Sequence, residues 1–89
     1  MTRTPLRLTN KLGLHARAAS KLVQTAARFD CEAWLEHQDR RVNARSIMGV
    51  LLLAAPCGSE LILETSGEEA EEAAEAIRQL VEDRFGEGQ

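Results

Sequence analysis

Apolar and polar residues first alternate, then recur at helical spacing, then alternate again, and these changes of period divide the chain into elements. Leu6-Arg7-Leu8-Thr9 alternates after Pro5 and predicts a half-buried strand with Leu6 and Leu8 inward. Asn10 to Gly13 forms a turn, and from Ala16 to about Arg28 the residues Ala19, Leu22, Val23, Ala26 and Ala27 fall on one face of a helix. Its other face carries Arg17, Lys21, Gln24 and Arg28, a basic stripe leading away from His15. Cys31 to Glu36 alternates again, with Cys31, Ala33 and Leu35 on one side. A polar turn over His37 to Arg40 returns the chain as a strand from Arg41 to Ala44, and so short a loop makes the pair an antiparallel hairpin. Ser46 has the right side chain to cap a helix from Ile47 to about Leu53, ended by Pro56 and Gly58. Glu60 to Thr65 is the fourth strand, broken by Ser66-Gly67, and Ser66 with Glu69 matches a capping box. The last helix keeps one apolar stripe of Ala70, Ala73, Ala74, Ile77, Leu80 and Val81, while Glu68, Glu69, Glu71 and Glu72 crowd its start, where the dipole favours anions. Gly86 is a suitable stop, and Gly86 to Gln89 is expected to fray.

The resulting order, β-α-β-β-α-β-α without a linker or low-complexity stretch, predicts a single domain over residues 1–89. Four amphipathic strands must bury one face under the helices, which gives an α+β two-layer domain with an antiparallel sheet and three helices on one side. Eighty-nine residues build one such core and no cleft between domains, so a pocket enclosing a large substrate is not expected.

Charge changes the picture through its distribution. The net charge is −3, yet residues 1–50 hold nine Lys/Arg against four Asp/Glu, and residues 51–89 hold two against ten. A basic first half could serve nucleic acid, but Phe29, Trp34 and Phe85 are the only aromatic residues and supply a poor stacking platform, so acidic protein partners suit that face better. Cys31 and Cys57 have neither zinc-ligand spacing nor a disulfide framework and are expected as small buried thiols. The longest apolar run, Ile47 to Ala55, is nine residues, about half a membrane span, and no leader pattern opens the chain. A cytoplasmic protein without membrane insertion is the expectation.

The chemistry concentrates at Asn10 to Ser20, where a glycine turn and an apolar residue lead to His15 at a helix start. The first helical turn has unpaired N–H groups and a partial positive charge, so Ala16, Arg17 and Ala18 offer backbone donors to a phosphate. Arg17 adds a guanidinium able to hold two phosphoryl oxygens. An imidazole of ordinary pKa, about 6.5, is largely neutral near pH 7 and carries a nucleophilic lone pair. His is a poor N-cap compared with Ser, Thr, Asp or Asn, which favours a chemical reason for its place. His37 has no charged or metal-ligating companions and reads as surface. Ile47 to Leu53 is apolar all round, more than a small domain can bury, so part of Ile47, Met48 and Leu51 should be exposed as a protein interface.

Gly13-Leu14-His15-Ala16-Arg17-Ala18-Ala19, with Ser46-Ile47-Met48-Gly49-Val50 further on, resembles HPr, the histidine-containing phosphocarrier family of the bacterial phosphoenolpyruvate-dependent phosphotransferase system, and equally its nitrogen-related paralogue NPr. The resemblance covers nearly the whole chain and implies an open-faced sandwich. It further implies that enzyme I passes phosphate to Nδ1 of His15 and that an enzyme IIA collects it, in sugar uptake or nitrogen-related regulation. Arg17 would stabilise the phosphoryl group, the second helix would dock partners beside the histidine, where the continuity of the basic stripe with His15 also points to docking through Lys21 and Arg28, and the carrier would work as a monomer without metal, nucleotide or other cofactor. Ser46 matches the serine that HPr kinase/phosphorylase phosphorylates in some bacteria. The family usually has proline where this chain has Ala18, which here leaves the first helical turn without a pre-set φ. Ala18 and the acidic last helix lean toward the nitrogen-related branch. A regulatory module that grips partners through the same surface without covalent chemistry is the alternative.

Overall fold

The first strand, β1 (Thr2–Arg7), begins earlier than the apolar alternation suggests and runs through Pro5. It lies at the edge of the sheet, where a missing N–H removes no ladder bond. Leu6 and Leu8 are buried as expected, and Leu8 continues the pairing beyond the strand through bonds with Ser59 and Gly58. The computed structural model describes residues 1–87.

After β1 come α1 (Ala16–Ala27), β2 (Glu32–His37), β3 (Arg40–Asn43), α2 (Ile47–Leu52), β4 (Glu60–Ser66) and α3 (Ala70–Glu82), followed by a short 3₁₀ turn at Arg84–Gly86. The four strands form one sheet in the order β1-β4-β2-β3, every neighbouring pair antiparallel. The register sets Leu6 opposite Leu61 and Leu35 opposite Leu63, which lines up one apolar face. Leu61, Leu63, Ala33 and Leu35 on that face pack with Leu22, Ile77, Val81 and Phe85 in the core beneath the helices. On the other face Glu64 is nearly buried, and Arg3 (3.1 Å) and Arg41 (3.6 Å) neutralise it from two strands.

Helix α1 buries Ala18, Ala19, Leu22 and Ala26, with Val23 partly covered, so the apolar face is turned slightly from the expected one: Ala27 is exposed and Ala18 is interior. Ser46 caps α2, its Oγ accepting from Gly49 N at 3.2 Å, and Arg40 closes the other end by donating to the Leu52 carbonyl at 2.9 Å. The capping box expected at α3 does not form. Glu69 precedes the helix without capping it, and its carboxylate instead accepts from Asp30 N at 2.7 Å, tying α3 to the turn after α1. Cys31 is buried, whereas Cys57 is exposed beyond α2, where the chain turns outward before β4. Fraying does not describe Gly86 and Glu87, because Phe85 is completely buried and anchors them; Gly88 and Gln89 lie outside the described residues.

Candidate functional site

The loop before α1 is shaped by two residues. Gly13 has φ +66°, and a Cβ there would run into the Ala55 carbonyl and Pro56, so only glycine lets the loop pass that close. Buried Asn10 donates from Nδ2 to the Gly13 carbonyl at 2.8 Å, and Leu14 N–H donates to the Ala55 carbonyl at 2.9 Å. The loop is thereby pinned to the segment after α2, and the next residue, His15, enters the N-cap position with extended backbone, φ −80° and ψ 179°.

The imidazole makes no capping bond. The first helical hydrogen bond runs from Ala19 N–H to the His15 carbonyl at 2.8 Å, which leaves the N–H groups of Ala16, Arg17 and Ala18 ahead of the ladder. Ala16 and Arg17 are exposed beside the ring, whereas Ala18, the third expected donor, is fully buried. Among the described residues no carboxylate lies within 4 Å of the Arg17 guanidinium. An open cleft of about 620 Å³ is lined by Lys11, Leu12, His15, Ala16, Arg17, Gly86 and Glu87. Three cationic or ionisable nitrogen groups thus face one cleft around a helix start. Such a site can bind an anionic group while leaving it open to solvent.

One member of the cleft was not foreseen. The Glu87 carboxylate bonds His15 Nε2 through Oε2 and accepts from Asn10 Nδ2 through Oε1 at 3.1 Å. Burial works against its charge, but the bonds from Asn10 and His15, with the Arg17 guanidinium nearby, outweigh it and hold the carboxyl below its ordinary range. The sequence carries one signal for this contact: Phe85, an aromatic residue past the end of α3, has to dock somewhere and brings Glu87 with it.

The expected docking residues scatter more widely. Lys21 is half-buried and donates to the Phe85 carbonyl at 2.5 Å, while Arg28 is exposed with its guanidinium 5.5 Å from the Phe29 ring. On α2, Ile47 and Met48 are exposed, but Leu51 is tucked partly against the core and Leu52 is exposed instead. Helical spacing explains this: Leu52 is one turn from Met48, whereas Leu51 lies nearer the inward Val50. Leu12 adds a further exposed apolar side chain beside His15. Ser46 is half-buried at the start of this helix.

An open-faced α+β domain with an accessible imidazole at a helix start beside an open cleft presents a site suited to holding a small anionic group in the open, not to enclosing a large substrate. The family model described as "PTS HPr component phosphorylation site" matches residues 2–83. The phosphocarrier protein HPr of Neisseria meningitidis is 46% identical over 89 residues, covering the whole of both chains, and that of Xylella fastidiosa is 50% identical over 82 residues, 92% of each. HPr from Thermoanaerobacter tengcongensis superposes with a TM-score of 0.94 at 41% identity, over 98% of each chain. The chain belongs to the HPr family and is a phosphocarrier of the phosphotransferase system, not an enzyme. Among the described residues no helix is long and apolar enough to cross a membrane.

Proposed function

We propose that His15 accepts a phosphoryl group from phosphorylated enzyme I on Nδ1 and delivers it to an enzyme IIA. The observation that carries this is the placement of His15 at the N-cap of α1, with the open N–H groups of Ala16 and Arg17 and the exposed Arg17 side chain beside it. Phosphoryl transfer needs in-line approach and neutralisation of three equatorial oxygens, and positioned donors supply both. The half-exposed ring keeps the phosphoryl group accessible, so it can be given up as readily as it is taken.

Partners dock on the surface around the ring. The cations Arg17, Lys21 and Arg28 attract an acidic face, and Ile47, Met48 and Leu52, with Leu12 beside His15, form its apolar part; Leu51 contributes only its exposed edge. Ser46 is a second control point, open to a protein kinase of the HPr kinase/phosphorylase type, and the protein works in the cytoplasm as a monomer.

The test is incubation with phosphoenolpyruvate, magnesium and enzyme I from the sugar and the nitrogen branch in turn, followed by intact-mass analysis. One acid-labile phosphoryl group, absent from His15→Ala, is the expected result, and the faster enzyme I identifies the branch. No added group from either donor would leave the non-covalent regulatory module as the better reading; such a module would tolerate His15→Gln.

A further inference from the structure

Glu87 and His15 are 72 positions apart, and the chain end is bent to bring them together. Beyond α3, Arg84 and Phe85 both adopt left-handed backbone, φ 53° and 54°, a conformation unfavourable for residues with a Cβ. It persists because the surrounding contacts hold it. Phe85 is completely buried, Lys21 donates to its carbonyl at 2.5 Å, and the Glu87 carboxylate is shared between Asn10 and His15. Asn10 also fixes the Gly13 carbonyl at 2.8 Å, so one buried amide orients both the loop leading into the histidine and the carboxylate behind it.

We propose that Glu87 is a positioning residue for the carrier histidine: its Oε2 accepts the Nε2–H of His15, which fixes the tautomer and presents the Nδ1 lone pair to the incoming phosphoryl group. A neutral imidazole holds a single ring proton, and an ionised carboxylate can only accept, so this hydrogen bond requires the proton on Nε2. The tight environment of Asn10, His15 and Arg17 keeps Glu87 ionised.

The inference rests on the carrier reading above and extends it to the transfer step. The Nδ1 lone pair forms the N–P bond while the bond from phosphorus to the donor breaks, its electron pair leaving with the donor. The proton stays on Nε2, so the phosphorylated ring gains a positive charge that the Glu87 carboxylate opposes. On delivery the N–P electron pair returns to the ring as the acceptor's bond to phosphorus forms, and the neutral imidazole is restored. No proton has to enter or leave Nε2 in either direction.

The test uses the full chain with ¹⁵N-labelled histidine. Ring ¹⁵N shifts report the tautomer of the unphosphorylated protein, and stopped-time assays with enzyme I report the rate of phosphoryl acceptance. In the wild type the Nε2–H form should dominate. Glu87→Ala should shift the ratio several-fold toward Nδ1–H and slow acceptance roughly tenfold, the scale of one charge-assisted hydrogen bond. Glu87→Asp should restore part of both, which a merely structural tail would not explain. Unchanged tautomer and rate in Glu87→Ala would overturn the proposal, as would faster acceptance, which would make the carboxylate a competitor for the phosphoryl position. The tautomer is read without any donor, so failure of the wild type to accept phosphate would contradict the carrier reading and still leave the role of Glu87 decided.

Discussion

At the scale of single residues, His15 stands where a short oxygen-bearing side chain would suit the helix better, and its ring makes no capping bond. His15→Ser should therefore keep the fold: the new cap gains about 1 kcal/mol, which offsets the lost bond to Glu87. Its melting temperature should stay within about 4 °C of the wild type while phosphoryl acceptance disappears. A melting point lowered well beyond that would assign the histidine a structural task. The carboxylate behind the ring makes a separate prediction. Glu87 titrates below its ordinary value of 4.5 in the folded protein, so its ionised form favours the docked tail. That contribution is complete above the ordinary value and is lost as pH falls through the lower folded-state value. The side-chain carboxyl ¹³C shift of Glu87 should have its titration midpoint in the acid range below 4.5; a midpoint at or above 4.5 would show that the docked tail does not favour the ionised carboxylate.

Between elements, the site depends on how closely the loop before α1 approaches the segment after α2. Gly13→Ala places a Cβ against the Ala55 carbonyl and Pro56 from a residue at φ +66°, so both strain and contact oppose it. A loss of at least about 1–2 kcal/mol is expected, seen as a melting point lower by about 4 °C or more. A variant that melts like the wild type would mean that the loop is free to relax. Much of this level was legible in the sequence. The periods of α1, α2 and α3 and the Gly13-to-Arg17 run located the helices and the histidine, because local pattern determines them. Other features are decided by contacts between distant segments. β1 reaches back through Pro5 because the strand lies at an edge, and Glu69 serves the Asp30 backbone instead of its own helix. Glu87 meets His15 only through the docking of Phe85, a contact that no local periodicity encodes. Leu52 replaces Leu51 on the exposed side of α2, a difference of one position that a run apolar on every side cannot resolve.

For the whole molecule, the arrangement separates stability from exchange. The sheet and the inner helix faces form the core, and the charged and apolar groups at the start of α1 and along α2 remain on the outer surface. A negative charge at Ser46 would sit within that outer surface. Ser46→Asp keeps an N-cap for α2 while adding charge, so it should fold normally and accept phosphate from enzyme I several-fold more slowly at low salt. The deficit should narrow as ionic strength screens repulsion from an acidic partner. Wild-type rates at both low and high salt would refute that account. The central claim, that the molecule carries its phosphoryl group on the nitrogen at the start of α1, is tested most directly by NMR of the phosphorylated, ¹⁵N-labelled protein. The prediction is ³¹P coupling to Nδ1 of His15, with Nε2 still protonated; coupling to Nε2, or an acid-stable ester at Ser46 with His15 unmodified, would contradict it.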